Sequence, residues 1–297
     1  MEIVLLIGGL GNQMSQFAFH LAKQQYSKSI FNSYFIRRNK EHQGYELERI
    51  FHIADNKNMI IDFFVRFIRK ILYTKEKKYI GVFSQICSIV LKKIRVNVIF
   101  ENKSYNYDEG LLKKKSGINV YMGGWHSEKY YKDIKEEIRG KFSFDESLIS
   151  TETQRIKSII EKTDSVSIHI RRGDYLIGRN KEVFGDICSI DYYYRAILYI
   201  KERIPSPMFF IFSNDMKWVK ENLLLENVFY VDCNRGNNSW QDMFLMSKCQ
   251  HNINANSTFS WWGAWLNSNP DKLVITPQSF MRNVETPDIY PDSWIKL

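Results

Sequence analysis

Val166-Ser-Ile-His-Ile-Arg-Arg-Gly-Asp-Tyr175 is the stretch whose reading sets the fold. Val166, Ile168 and Ile170 alternate with Ser167 and His169, the two-residue period of a short, mostly buried strand. The strand ends on Arg171 and Arg172, followed by Gly173 and Asp174. In open α/β sheets, ligands sit beyond the carboxyl ends of the strands. Two guanidinium groups at such an edge grip a diphosphate as forks, a geometry that a lysine ammonium lacks. Gly173 lets the backbone turn tightly. Asp174 either holds an arginine in one rotamer or touches the ligand itself. A structural Arg–Asp pair fastening a loop is the competing reading of the same residues.

The residues on either side repeat this pattern. Met208 to Phe212 reads as a strand ending on Ser213, Asn214 and Asp215. Val228 to Val231, Cys249 to Ile253 and Leu273 to Thr276 read as further strands. Between them lie helical stretches: Ile156 to Ile160, Tyr192 to Glu202 capped by Asp191, Trp218 to Leu223, Asp242 to Ser247 and Ser257 to Leu266. Such alternation predicts a parallel sheet. A parallel sheet gathers the ends at Arg171–Asp174, Ser213–Asp215 and Asn254–Thr258 along one edge, where they can meet one ligand. Asn256, Ser257 and Thr258 stand where a helix begins, so they suit a phosphate or simply cap the helix. Asp215 can accept from guanine N1–H and N2–H, a pair adenine lacks; the alternative is again a helix cap. Trp261 and Trp262 read as core.

The first half opens on a similar unit. Ile3 to Ile7 is a buried strand, followed by Gly8, Gly9 and Gly11, then Asn12 and Gln13, with a helix expected from about Met14. This strand–glycine loop–helix is a Rossmann-like opening that turns helix-end N–H groups toward an anion. Phe31 to Phe35 reads as a second strand. Asn58 to Phe100 reads as helical and basic. There Phe63, Phe64, Phe67, Ile68, Ile71 and Leu72 make an apolar face, opposite Arg66, Arg69 and Lys70, and Lys75, Lys77, Lys78, Lys92, Lys93 and Arg95 follow. Packing on a core is the favoured reading of that face, and contact with an anionic membrane the second. Asn119 to Gly124 reads as a strand that leads into Trp125 and His126, either cleft-lining or packed, and then into a helix through Ile138 capped by Ser127. Lys141 to Ser150 is the expected linker. The predicted division is 1–145, with a helical insertion at about 55–100, and 146–297.

The chain has 297 residues, enough for two domains. Its balance of +9 favours anionic partners. No basic stretch is interleaved with stacking residues, which argues against nucleic acid. Cys87, Cys188, Cys233 and Cys249 are scattered, without metal spacing, and read as free thiols in a reducing compartment. The first ten residues are apolar but carry Glu2 where a signal peptide has its basic region. No run approaches the ~20 apolar residues of a membrane span. A cytoplasmic location is expected, with peripheral contact on the inner membrane face as a second reading.

His-Ile-Arg-Arg-Gly-Asp-Tyr resembles the donor-site motif of the α-1,2- and α-1,6-fucosyltransferases and the protein O-fucosyltransferases. Three further segments resemble the α-1,2-fucosyltransferases in the same order. These are Gly8-Gly-Leu-Gly-Asn-Gln-Met14, Ser213-Asn-Asp215, and Asp242-Met-Phe-Leu-Met-Ser247 running into Asn254-Ala-Asn-Ser-Thr-Phe-Ser-Trp-Trp262. The resemblance implies an α/β fold of GT-B type, two Rossmann-like domains with a cleft between them, and GDP-β-L-fucose as donor. Gly9, Gly11, Asn12, Gln13, His169, Arg171, Arg172, Asp174, Ser213, Asn214, Asp215, Asn256, Ser257 and Thr258 fall on the donor side, with His169 and an aspartate near Asp215 serving the base. Arg171, Asp174 and Asn12 are the expected catalytic set. Trp125, His126, Glu182 and Asp186 are expected near the acceptor. Asp174, Glu182 and Asp186 all remain open as the general base, as does a reaction that needs none. There is no D-x-D motif, so no metal or other cofactor is expected, and arginines would neutralise the leaving GDP. The acceptor would be a galactose-bearing glycan, free or lipid-linked. Another GDP-sugar as donor, or a non-catalytic GDP- or RNA-binding protein, are the alternatives.

Overall fold

A computed structural model of the chain describes residues 1–38, 43–55, 57–73, 91, 93, 95–102, 104–113 and 115–297. It divides into two compact units, residues 1–102 with 107–138, and residues 103–106 with 139–297.

The second unit is built on β5 (Ser165–Ile170), whose six residues are all buried. It lies inside a six-stranded sheet of order β10-β9-β8-β5-β6-β7. The other strands are β6 (Met208–Ser213), β7 (Val228–Val231), β8 (His251–Ile253), β9 (Val274–Thr276) and β10 (Ile295–Lys296). Every pairing is parallel. The chain builds outward through β6 and β7, then returns past β5 to build β8, β9 and β10. This is the doubly wound order, and it reverses between β5 and β8, where such sheets open a ligand crevice.

The alternation in β5 sorts its two faces. Val166, Ile168 and Ile170 pack in one apolar core with Tyr192, Tyr193 and Ile197 of the helix Ile190–Lys201. On the other face Ser167 Oγ accepts from Asn252 Nδ2 at 2.7 Å, and Asn252 Oδ1 accepts from Asn267 Nδ2 at 2.8 Å. These polar groups are buried but satisfied, the condition under which burial is tolerated. The helix Thr258–Leu266 buries Trp261, Trp262 and Trp265, and Trp261 Nε1 donates to the Ile289 carbonyl at 2.7 Å. Trp261 and Trp262 are therefore core, as expected.

The first unit holds a four-stranded parallel sheet of order β2-β1-β4-β3. Its strands are β1 (Glu2–Leu5), β2 (Ser29–Asn32), β3 (Val96–Phe100) and β4 (Ile118–Met122). The helix Leu10–Gln24 crosses over from β1 to β2. Its Lys23 is buried against Glu2 at 3.2 Å and donates to the carbonyls of Leu111 and Leu112 and to the Tyr121 hydroxyl. A buried charge needs that full complement of partners.

Several expectations are corrected. The first helix begins at Leu10 rather than Met14, which puts Gly11, Asn12 and Gln13 in its first turn. Ser189, not Asp191, caps the helix Ile190–Lys201, because the Ser189 hydroxyl accepts from the Tyr192 N–H. Val96–Phe100 is a strand, not part of a helical insertion, since it pairs with β4 along its whole length. The main stretch of the second unit runs from Arg139, where the expected boundary was at 145/146. There the Arg139 guanidinium donates to the carbonyls of Trp265 and Leu266 and lies 4.6 Å from the Trp265 ring centroid. Lys75, Lys77, Lys78, Cys87 and Lys92, and the side chains of Ile71 and Leu72, lie outside the described residues. Among the described residues, no helix is long and apolar enough to cross a membrane.

Candidate active site

The carboxyl ends of β5, β6 and β8 stand side by side on the six-stranded sheet. Arg171 leaves β5 and meets Asp174 edge to edge, with Nε 2.8 Å from Oδ1 and Nη2 donating to Oδ2 at 3.0 Å. One side of the guanidinium is fixed, and its remaining N–H donors can still take an anion. Asp174 thus acts on Arg171 as a positioning group. Arg172 follows a different course. Its backbone N–H donates to Asn214 Oδ1 at 2.9 Å, its Nε lies 3.4 Å from Asp215 Oδ2, and its guanidinium sits 3.6 Å over the Trp218 ring. A Cβ on Gly173 would fall 2.6 Å from Asn214 Nδ2, so a larger residue there would displace the Asn214 amide.

Ser213 Oγ accepts from the Asp215 N–H, and Asp215 Oδ1 caps the helix Met216–Asn222 through the Trp218 N–H at 3.3 Å. Each Asp215 oxygen thus has one donor already, and a carboxylate oxygen can accept a second. Asn256 is buried and tied by its own side chain: Nδ2 donates to the carbonyls of Phe184 and Phe280, and Oδ1 accepts from Cys188. It fastens the 173–188 loop rather than offering donors to a phosphate, which corrects its expected role. Ser257 caps the helix Thr258–Leu266 through the Phe259 N–H. Thr258 opens that helix.

His169 is buried near the end of β5, and burial with the Arg171 charge pushes its pKa down to about 3. The ring is therefore neutral at ordinary pH, and its Nδ1 has no hydrogen-bond partner among the described residues. Asn254 stands one residue beyond the last paired rung, Ile168–Ile253, as does His169. Asn254 is buried too, and its Nδ2 lacks a partner among the described residues. Two orphaned nitrogens thus sit on neighbouring strands where the sheet order reverses. Buried polar groups rarely go unsatisfied, and those that do call for a ligand or solvent atom. Asn254 was legible only as a member of a motif; its register beside His169 belongs to the folded sheet.

The first unit treats its expected site residues otherwise. Gly8 has φ +81°, and a Cβ there would lie 2.4 Å from Asn12 Nδ2, so the turn brings backbone hard against Asn12. Gly9 is the N-cap of the first helix, with ordinary negative φ, and Gly11 is buried within it. Gln13 is corrected to a structural role: its amide donates to the carbonyls of Gly8 and Gly44 and accepts from the Glu46 N–H. Trp125 is also corrected. Its ring is fully buried and stacked on Phe19, centroids 4.5 Å apart, so no face is left for a sugar. His126 is buried, with its ring against Gly124. Desolvation holds its pKa near 3. Glu182 is exposed on the helix Gly178–Phe184, and Asp186 pairs with Arg282 at 3.3 Å.

Sequence reasoning passed over Glu101, just beyond β3. Its carboxylate accepts from the N–H groups of Gly124 and Trp125, and burial pushes its pKa up to about 7. No motif marks it, because its partners are backbone groups more than twenty residues away.

The family model for glycosyl transferase family 11 matches residues 2–297. The chain belongs to glycosyltransferase family 11. It is a glycosyltransferase of the fucosyltransferase type. Among family 11 relatives, the O-antigen biosynthesis glycosyltransferase WbnK of Escherichia coli is 32% identical, covering 98% of this chain and 99% of its own length. An alpha-1,2-colitosyltransferase of Escherichia coli is 31% identical over 100% of this chain and 99% of its own. Galactoside alpha-(1,2)-fucosyltransferase 1 of Ateles belzebuth is 28% identical over 46% of this chain and 40% of its own. The family match spans both units, so the glycine turn at Gly8 and the arginine turn at Arg171 belong to one family 11 framework.

Proposed function

We propose that the protein transfers L-fucose from GDP-β-L-fucose to O2 of a galactose in a cell-surface glycan precursor, free or lipid-linked, with inversion and without a metal ion. The observation that carries the reading is the end of β5, where Arg171 is set by Asp174 beside the orphaned nitrogens of His169 and Asn254. That arrangement suits a diphosphate with polar groups of the nucleotide or sugar reaching the crevice. The acceptor hydroxyl attacks the anomeric carbon, the bond to the β-phosphate oxygen breaks on the opposite face, and GDP departs. Arg171 stabilises the charge that develops on the departing oxygen, and fixed donors are most effective in that role. Arg172, resting on Trp218, adds a second positive charge at the same strand end. Asp174 is paired with Arg171 and Asp186 with Arg282, while Glu182 is exposed; the acceptor proton passes to one of these carboxylates or to water. The reading takes the chain as GT-B type, with Asn12 serving the donor phosphate or the acceptor hydroxyl. The two relatives named for 1,2-linkages support the linkage, and the one named for O-antigen biosynthesis supports a glycan acceptor. The same transfer with colitose in place of fucose is a second reading, favoured by the full-length likeness to a colitosyltransferase.

The test is transfer from radiolabelled GDP-fucose to galactose-terminated oligosaccharides, with and without EDTA, beside a colitose donor. Transfer to O2 that survives EDTA is expected. GDP should also raise the melting temperature more than ADP or UDP, because a ligand bound only by the folded state stabilises it. Loss of activity in EDTA would overturn the metal-free mechanism. Equal shifts with all three nucleotides would overturn the guanine assignment.

A further inference from the structure

The helix Met59–Tyr73 carries two apolar faces, and only one is used. Val65 and Ile68 are buried in the core of the first unit, with Ile61 and Phe64 partly buried beside them. The other face is open: Met59 is 88% exposed, Ile60 82%, Phe63 72% and Phe67 46%. At 100° per residue these four fall on one side of the helix, within about a third of its circumference. Scattered exposed apolar residues are ordinary, but a contiguous set on one helix face marks an interaction surface.

Charge says what covers it. Arg66 and Lys70 are exposed and fall on or beside the same stripe, and Lys57 is exposed just before the helix. Asp62, the acidic residue in the first turn, is turned away, since its carboxylate accepts from Asn32 at 2.7 Å and Arg37 at 2.6 Å. Arg69 lies over the Phe35 ring, 4.3 Å from its centroid. Among the described residues, the outward face therefore presents bulky apolar groups flanked by cations.

We propose that this face docks the protein on an anionic lipid surface. A helix with aromatic and aliphatic side chains on one side and Lys or Arg beside them lies in the interface plane, its apolar groups among the acyl chains and its cations at the headgroups. The long stems of Arg66 and Lys70 let their charges reach the phosphates while the apolar stripe is inserted. A second copy of the chain is a poorer occupant, because two-fold pairing sets the same cations against each other. The inference does not depend on the transfer reaction. It reverses the favoured sequence expectation for Phe63 and Phe67, which placed them in the core.

The experiment is co-sedimentation of the full chain with vesicles of phosphatidylglycerol and phosphatidylcholine, against phosphatidylcholine alone. Binding is expected with the anionic vesicles at low salt and should weaken as salt screens the attraction. Arg66→Glu with Lys70→Glu, and separately Phe63→Ser with Phe67→Ser, should each lower the partition coefficient by more than about tenfold. Leu224→Ser is the control, because Leu224 is 74% exposed in the second unit and should not matter. Unchanged melting temperatures keep the comparison valid. No binding to anionic vesicles would overturn the proposal, as would binding that both double variants retain. A concentration-dependent dimer that Phe63→Ser abolishes would also overturn it, in favour of a second copy.

Discussion

The two parallel sheets use their carboxyl edges in opposite ways. Beyond β5 and β6, charged side chains stay partly open to solvent, each arginine steered by a carboxylate: Arg171 by Asp174, Arg172 by Asp215. Beyond β1, β3 and β4, polar side chains turn inward to serve backbone groups. Gln13 ties Gly8, Gly44 and Glu46 together, Gln16 joins Ile7 to Gly123, and Glu101 holds Gly124 and Trp125. One edge leaves its charged groups partly exposed, and the other has used most of its polar groups to hold loops in place. A shared architecture therefore does not confer a shared role, and the difference lies in how many hydrogen-bonding groups remain uncommitted.

Trp125 is the sharpest way to break this comparison. If it is packing, Trp125→Ala should remove about 3–5 kcal/mol of stability, the usual cost of truncating a buried large aromatic side chain. Denaturant unfolding measures this. A variant with wild-type stability and only a raised acceptor KM would return Trp125 to the sugar site.

Arg171→Lys tests the other edge. A lysine cannot meet Asp174 edge to edge while offering further donors in fork geometry. Turnover should fall on the order of 100-fold or more, as when a preorganised donor to a developing oxyanion is removed, with the melting temperature nearly unchanged because the side chain is partly exposed. Near-normal turnover would make the Arg171–Asp174 pair a loop fastener.

The smallest effect is in pH dependence. Burial raises the pKa of Glu101 to about 7, and that of Asp242, whose carboxylate accepts from Asn234 Nδ2, to about 7 as well. For a carboxyl whose folded pKa lies above its unfolded value, the folded state binds the proton more tightly. The stability this brings is fully present below the unfolded pKa and is lost as pH rises through the folded pKa. Stability should therefore decline up to about pH 7 on account of these groups, starting from about pH 3.8 for Asp242 and about pH 4.5 for Glu101. Glu101→Gln should flatten part of that slope in urea midpoints measured across the range, and Asp242→Asn another part. An unchanged slope in both would remove the burial argument.

Much of the second unit was legible from residues alone. The strand from Val166, the strand before Ser213 and the Val228–Val231 strand all lie where alternation and short apolar runs placed them, give or take a residue. The arginine turn was visible because adjacent arginines, glycine and aspartate after a strand are an uncommon local cluster. Val96–Phe100 was hidden for the opposite reason. It sits in a basic, aromatic tract whose composition suits either structure, and only its pairing with β4 makes it a strand.

The chain by itself determined that parallel strands would carry Arg171, Asp215 and Asn254 to one edge, because alternation and strand–helix order are local properties of the sequence. Tertiary structure alone decided which polar groups there stay available. Asn256 and Asn254 lie two positions apart in one motif, yet the first has its amide bound to Phe184 and Phe280 and the second has a buried Nδ2 with no partner among the described residues. Nothing in their order distinguishes them. The distinction depends on segments far off in sequence, because hydrogen bonds are satisfied by whatever the fold brings near.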